Sequence, residues 1–413
     1  MAIDKDFLDT LRDRLSIVDA ISKYVPLKRS GKEHWGVCPF HGEKTASFSV
    51  NEDKRFYHCF GCGAHGDIIG FTMQFLHMTF IEAVEKLAAE AGLEMPQSTP
   101  EQRDRDRQSH DMHEILALAC AFYRQELYAD SGKVALAYLR KRGLSDEIIS
   151  GFRLGYAPAG NRLLKFLENK HVPPARLLDA GLARKSDRDG SIYDYFRDRV
   201  LFPITDSRGR VVAFGGRVMD DSQPKYLNSP ESLVFQKGRS LYALSQARLA
   251  AADKNEVIAC EGYMDAIALH KFGFTNAVAP LGTAITETQI ELLWKLADEP
   301  ILCFDSDEAG RRAGVRAALR SLPMLRPGKS LRFCLIEGAK DPDEYLHSFG
   351  GEKFRAMLDS ARTLSDILWL YFTSGRAIVT PEARAGLSDE IAREFSRIKN
   401  ETVRKFYMDD FAA

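Results

Sequence analysis

The sequence predicts a multidomain protein that joins α+β segments to one α/β segment built on a parallel sheet. Three observations predict it. Two short knuckles, Cys38-Pro39-Phe40-His41 and Cys59-Phe60-Gly61-Cys62, lie in a strand-rich, aromatic stretch near the start. Short strand runs recur between Ile192 and Ala243. From Glu256 onward strands and helices alternate, the pattern of a parallel sheet with helices on its faces.

Length and composition agree with this. A chain of 413 residues is too long for one ordinary domain, and 45% apolar residues suffice for several cores. The formal charge of −1 neither requires nor excludes a nucleic-acid partner, because a basic groove can be balanced by acidic surface elsewhere. The first residues are charged and no apolar run approaches the ~18 residues of a membrane span, so neither a secretory signal nor a membrane partner is expected. Four of the seven cysteines (Cys120, Cys260, Cys303, Cys334) sit singly in apolar contexts as buried thiols. That usage suits a reducing cytosol, and a cytoplasmic location is expected.

Taken in order, residues 4–25 carry a helical period, with Phe7, Leu8, Leu11, Leu15 and Val18 on one face. After the strand-rich stretch come helices near 67–76 and 80–91, the second ended by Gly92. Residues 96–108 are polar and charge-alternating, a linker or a solvated helix start, and the first boundary is placed there. The expected organisation is a metal-binding domain at 1–96, a linker at 97–112, and a mixed α+β basic subdomain at 113–243. A parallel-sheet α/β subdomain at 244–345 and a helical subdomain at 346–413 complete it.

The two knuckles flank a seventeen-residue stretch that reads as a hairpin: Ser47–Val50, a turn at Asn51–Lys54, then Arg55–His58. Cys38, His41, Cys59 and Cys62 form a Cys₃His set, the signature of a closed, structural zinc site with no position left for water. Gly61 and Gly63 let the backbone curl so that amides face the sulfurs. His58 and His65 are competitors as ligands, but His41 alone has the knuckle spacing from a cysteine lacking another partner. Phe56, Tyr57 and Phe60, with Lys54 and Arg55, form either a stacking surface for single-stranded nucleic acid or the small core around the metal.

The catalytic signal lies at three strand ends. Glu261 follows the strand at 257–260, with Asp265 one helical turn on; Asp305 and Asp307 follow the strand at 301–304; Asp341 and Asp343 follow the strand at 331–336. In an open parallel sheet, ligands sit at the carboxyl ends of strands, so these acids converge on one crevice. Like charges that close need counter-cations, and Mg²⁺ or Mn²⁺ suits oxygen ligands and substrate phosphates. Each acid taken alone also reads as a helix cap or first-turn residue.

Glu261-Gly262-Tyr263-Met264-Asp265, Leu281-Gly282-Thr283-Ala284 and the Asp305/Asp307 pair resemble the Toprim module of bacterial primases, topoisomerases and some nucleases. Cys-Pro-Phe-His followed by Tyr-His-Cys-Phe-Gly-Cys-Gly resembles the zinc ribbon of bacterial DNA primases. Phe196–Ile204, Phe214-Gly215-Gly216-Arg217 and Pro224–Pro230 resemble the basic subdomain of the same family, in the same order. The resemblance covers nearly the whole chain. It implies an enzyme that makes short RNA primers from NTPs on single-stranded DNA, a DNA-directed RNA polymerase of the replication fork that leaves an RNA–DNA hybrid. It implies that Glu261, Asp305 and Asp307 are catalytic metal ligands, with Asp265, Asp341 and Asp343 ancillary. It also implies that Arg142, Arg197, Arg199, Arg217, Lys225, Lys237 and Arg239 line a groove for template and nucleotide phosphates.

Three departures accompany the resemblance. Ala46 stands where the family usually has Pro, and Ser306 where it has Gly between the aspartates. Family members continue into a helical domain that docks on the replicative helicase, so a chain ending at Ala413 is expected to be a fragment. Another Toprim enzyme, topoisomerase or nuclease, leaves the ribbon and basic subdomain unexplained. A non-catalytic zinc-ribbon protein that binds single strands leaves the carboxylates unexplained, and metal-dependent nucleotide incorporation separates it from an enzyme.

Overall fold

The computed structural model describes residues 3–41, 45–76, 78, 80–95, 100–282 and 284–412. They form two compact units, divided at Gln108/Ser109. The segment expected as a linker is largely helical, because the helix Pro100–Tyr128 runs through it. Its charge alternation is that of a solvated helix start, the second of the two readings the sequence allowed. Residues 97–99 and Thr283 lie outside the described residues.

In the N-terminal unit, an antiparallel five-stranded sheet runs in chain order through Lys28–Ser30, Glu33–Gly36, Phe48–Asn51, Phe56–Cys59 and His65–Gly66. The hairpin expected from the sequence pairs Phe48 with Cys59 and Asn51 with Phe56. The single helical period at the start is broken into Lys5–Arg14 and Ile17–Ser22, because Ser16 caps the second helix by accepting the amide of Asp19. The helices Ile68–Phe75 and Phe80–Ala91 complete the unit. Leu11, Ile21, Phe48, Val50, Tyr57, Phe71 and Leu87 make one core with the sulfurs of Cys38 and Cys59 at its edge.

The second unit holds two larger sheets. One is antiparallel, in the order Tyr226–Asn228, Val211–Arg217, Arg199–Thr205, Gly155–Ala157. Arg199–Thr205 is buried at every position, as a central strand covered on both faces must be. The other has six strands, in the order Leu241–Tyr242, Ala277–Pro280, Ile258–Ala259, Ile301–Phe304, Arg332–Leu335, Arg362–Thr363. Its four inner strands are mutually parallel and both edge strands antiparallel. The expected β-α alternation therefore builds a parallel sheet, and its register brings the carboxyl ends at Ala259, Phe304 and Leu335 side by side.

The boundaries expected inside this unit do not separate cores. Leu139, Phe202 and Ile204 pack with Ile258, Ile267, Ile301 and Phe354 in one cluster. The boundary expected at 345/346 falls inside the first part of the helical segment Pro342–Asp359, which Asp341 caps, Pro342 opens and Gly350 kinks with φ 83°. The helices Leu364–Thr373 and Pro381–Phe395 deliver Leu368, Phe372 and Phe395 to a second cluster with Val257, Val278 and Leu302. No described helix is long and apolar enough to cross a membrane.

Candidate active site and metal centre

In the N-terminal unit, one ligand atom each from Cys38, His41, Cys59 and Cys62 lies within 4.8 Å of the other three. The Sγ atoms of Cys38 and Cys62 are 3.8 Å apart, and Cys59 Sγ is 3.8 Å from His41 Nδ1. A zinc–sulfur bond of about 2.3 Å gives a tetrahedral S–S edge of about 3.8 Å, the separation of Cys38 and Cys62, so the cluster fits the ion. The amides of Gly61 and Cys62 donate to Cys59 Sγ at 3.3 and 3.4 Å, and that of Phe40 to Cys38 Sγ at 3.4 Å. Burial raises the Cys59 thiol, but bonds from Ser47 and from the amides of Cys62 and Gly61 outweigh it and bring it to about 6. A side chain at position 61 would place Cβ 2.7 Å from His41 Nε2, so glycine there is a steric requirement of the cluster. His58 and His65 stay outside it, His65 Nδ1 lying 2.8 Å from the Gly63 carbonyl.

The aromatic surface divides. Tyr57 is buried in the core beside Phe48 and Phe71, so it is not part of a stacking face. Phe60 is 67% exposed and stacks on Trp35 at 5.6 Å, with Phe56 and Lys54 also exposed. Arg55 pairs with Asp13.

In the second unit a cleft of about 520 Å³ opens over the carboxyl ends of the parallel strands. Of the expected residues it gathers Arg142, Arg217, Lys225, Glu261, Asp265, Asp305 and Asp341. Glu261 and Asp305 end neighbouring strands and interlock, Glu261 Oε1 accepting the Asp305 amide at 3.0 Å. Asp307 and Asp341 each cap a helix, through the amides of Gly310 at 2.7 Å and Glu344 at 2.9 Å. Capping occupies one oxygen of each carboxylate, and a carboxylate has lone pairs for more.

The electrostatics are those of crowded acids. Burial first, then the charges of Asp341, Asp305, Asp343 and Glu261, push Asp265 up to about 8. Burial and the charges of Glu261, Asp341 and Asp307 push Asp305 up to about 7, against a partial offset from Lys340. Burial also raises Glu261, which the Asp305 amide and Arg316 pull back. Asp305 Oδ1 is buried with no hydrogen-bond partner among the described residues. A buried, unsatisfied carboxylate oxygen among like charges is the donor that a hard divalent cation accepts, so this acid set fits one. Among the described residues, no three of these carboxylates bring oxygens within 4.8 Å of one another, unlike the Cys/His four.

The basic residues separate by environment. Lys225 is exposed on the cleft rim. Arg217 donates to Tyr226 Oη at 3.1 Å and lies over the rings of Tyr138 and Tyr226, aimed by both. Arg199, expected to hold phosphates, is buried, and its Nη1 donates to the Pro224 carbonyl at 2.9 Å, so it braces the segment before Lys225. Arg197 lies over the Tyr193 ring, and neither it, Lys237 nor Arg239 lines the cleft. Arg142, expected to hold phosphates, donates to Asp343 Oδ2 at 2.6 Å.

Sequence reasoning missed a polar bridge between the two larger sheets. Tyr263 Oη donates to Asn228 Oδ1 at 2.6 Å, and Asn228 Nδ2 donates to the Leu281 carbonyl at 3.0 Å. The signal was present in Gly215, where a Cβ would stand 2.6 Å from the Tyr263 ring.

Three family models match the chain in order: a CHC2 zinc finger at residues 3–103, the DNA primase catalytic core N-terminal domain at 122–248, and a Toprim-like domain at 258–346. The DNA primase of Escherichia coli K12 is 43% identical over 406 residues, which is 97% of this chain and 70% of that protein. The Haemophilus influenzae DNA primase is 40% identical over 409 residues (98% and 68%), and that of Pseudomonas aeruginosa PAO1 43% over 408 (97% and 61%). The chain thus spans 61% to 70% of the length of these three relatives. Among solved structures, a DnaG primase catalytic domain bound to ssDNA is 38% identical with TM-score 0.69, over 74% of this chain and 99% of that one. The Aquifex aeolicus primase, with zinc-binding and RNA polymerase domains, is 32% identical with TM-score 0.63, over 100% and 96%.

Proposed function

The chain belongs to the DNA primase family, and on that premise we propose that it synthesises short RNA primers from NTPs on single-stranded DNA. The observation that carries this reading is the cleft itself. Acids from three adjacent strand ends, one with an unsatisfied buried oxygen, face the rim residues Arg217 and Lys225. Such a site accepts both divalent cations and the phosphates they accompany.

In this reading Glu261, Asp305 and Asp307 hold Mg²⁺ or Mn²⁺, with Asp265 and Asp341 close by. When bound, the metal lowers the pKa of a ribose 3′-hydroxyl and offsets the charge of the departing pyrophosphate. The chain's own residues set the geometry. The Asp305 amide, donating to Glu261 Oε1, fixes the spacing of two strand ends, and Arg217, held between two tyrosine rings, presents its guanidinium to phosphate. The similarity to a catalytic domain bound to ssDNA supports the same polymer as template. The zinc ribbon, with Phe60 and Phe56 exposed, suits a strand-binding role in the same reaction.

The test is primer synthesis from labelled NTPs on single-stranded DNA with Mg²⁺ or Mn²⁺ and no added primer. Short RNA products that vanish with EDTA and with Asp305→Asn are expected. DNA cleavage or relaxation in place of RNA products would overturn the primase reading while keeping the metal site.

A further inference from the structure

We propose that Asp343 is a positioning residue for Arg142, whose contact with a substrate phosphate belongs to the function proposed above, rather than a ligand of the catalytic metal. The inference rests on the nucleotidyl-transfer reading of the cleft and narrows it.

Asp341 and Asp343 look equivalent in sequence, since both follow the same strand within Asp-Pro-Asp. The fold separates them. Asp341 is the N-cap, with non-helical backbone, and its carboxylate remains on the cleft wall. Asp343 is the second residue of the helix that Asp341 opens, where the backbone already turns by about 100° per residue. It is 8% exposed, and its Oδ2 is engaged by a guanidinium. Oδ2 accepts Arg142 Nη2 at 2.6 Å, and Oδ1 lies 3.3 Å from His347 Nδ1. A metal ligand needs a lone pair directed at the cation. Asp341 lines the cleft and Asp343 does not, and the short guanidinium bond turns Asp343 Oδ2 toward Arg142.

The surroundings hold this pair in place. Arg142 ends the helix Lys133–Lys141, its amide donating to the Tyr138 carbonyl at 3.0 Å, so its Cα is fixed at the cleft edge. His347 Nδ1 is 2.8 Å from the Asp343 carbonyl, and its Nε2 is 3.1 Å from Lys271 Nζ. Arg142 is the one member of this chain of contacts that lines the cleft. A guanidinium carries five donors in a planar fork, so one arm can stay on Asp343 while the other meets a phosphate oxygen. That phosphate belongs either to the incoming nucleoside triphosphate or to the template backbone.

The test separates metal binding from phosphate binding. Mn²⁺ affinity is measured by EPR titration of the full chain without nucleotide, alongside the KM for NTP and the Kd for single-stranded DNA. For Asp343→Asn, unchanged Mn²⁺ affinity and an approximately tenfold weaker phosphate interaction are expected, the size of a lost charge-assisted bond. Asp305→Asn should lower Mn²⁺ affinity. A raised KM for NTP with unchanged DNA Kd assigns the phosphate to the triphosphate; the reverse assigns it to the template. The double variant Asp343→Asn/Arg142→Gln should be no worse than Arg142→Gln alone, because both remove one interaction. Weaker Mn²⁺ binding by Asp343→Asn with phosphate binding intact overturns the assignment, and so do effects that multiply in the double variant. If Asp343→Asn does not fold, Arg142→Gln decides: unchanged KM and Kd would refute the phosphate role. Failure of the wild-type protein to make primers would count against the primase reading, whereas the Mn²⁺ titration needs no turnover and still decides whether Asp343 is a ligand.

Discussion

Replacing Asp305 with asparagine should stabilise the metal-free protein while abolishing its proposed chemistry. Asp305 ends a buried strand with Oδ1 unsatisfied and with Glu261, Asp341 and Asp307 around it, which lifts its carboxyl from an ordinary 3.8 to about 7. Its folded-state pKa therefore lies above the unfolded one. The associated stability is fully present below about pH 4 and is lost as pH rises through about 7. Each tenfold change in acid dissociation corresponds to about 1.4 kcal/mol, so the full lift corresponds to about 4 kcal/mol. Solvent reaches the group and neighbouring acids share the repulsion, so about 1–2 kcal/mol is the reasonable yield at pH 8. For a unit of this size that is an increase in Tm of about 2–4 °C. Thermal unfolding in EDTA at pH 5 and pH 8 is the assay: Asp305→Asn should match wild type more closely at pH 5 and exceed it at pH 8. Added Mg²⁺ should raise the wild-type Tm and leave the variant nearly unmoved. A variant less stable than wild type at pH 8 in EDTA would refute the argument that burying this charge among other acids destabilises the metal-free site.

Three further outcomes follow from the same structure. Cys59→Ser should reduce zinc from one atom per chain to none by elemental analysis and unfold the N-terminal unit, because a structural zinc site supplies folding energy that the small core alone lacks; one zinc retained would mean the ligand set is wrong. Gly215→Ala should cost about 1–3 kcal/mol in urea unfolding, because its Cβ would meet the Tyr263 ring at 2.6 Å and displace the bond to Asn228; an unchanged midpoint would refute it. Arg199→Ala should destabilise by about 1–3 kcal/mol by leaving the Pro224 carbonyl without its donor. DNA affinity per folded molecule should hold, and a stable variant that has lost DNA binding would show that Arg199 meets the nucleic acid.

The parallel sheet and the zinc cluster were legible because their signals are local and periodic. Alternating strands and helices set the order of elements, and knuckle spacing selected Cys38, His41, Cys59 and Cys62 over His58 and His65. The basic residues were not legible to the same degree. Arg197 and Arg199 sit two positions apart in one motif, yet one lies exposed over a tyrosine ring and the other is buried against Pro224. Strand alternation turns neighbours to opposite faces, but residues two apart share a face only once the strand has begun. Asp198, with φ of 50°, breaks the extended backbone between them. The expected domain bounds lie near those of the matched family models, but composition marks exposed surface and not element ends, so the helical segments Pro100–Tyr128 and Pro342–Asp359 run across them.

The acids pose the harder problem, since capping and metal binding ask for the same residue at the same place. Asp307 and Asp341 cap helices, so a cap explains each of them completely when it is taken alone. Glu261 and Asp305 cannot be explained that way. Glu261 accepts an amide from the neighbouring strand end rather than from its own helix, and Asp305 leaves an oxygen with no partner among the described residues. A protein that needed only caps would not bury these two beside each other, because burial raises both carboxyls and nothing in the helices requires them. The chain's own cations offset the charge only in part: Lys340 and Arg316 act on Asp305 and Glu261, Arg142 is paired with Asp343, and Arg217 and Lys225 stand at the rim. Protonation relieves part of the charge in the metal-free protein, and under the proposed function a bound cation supplies the rest, its loading both stabilising the fold and enabling synthesis.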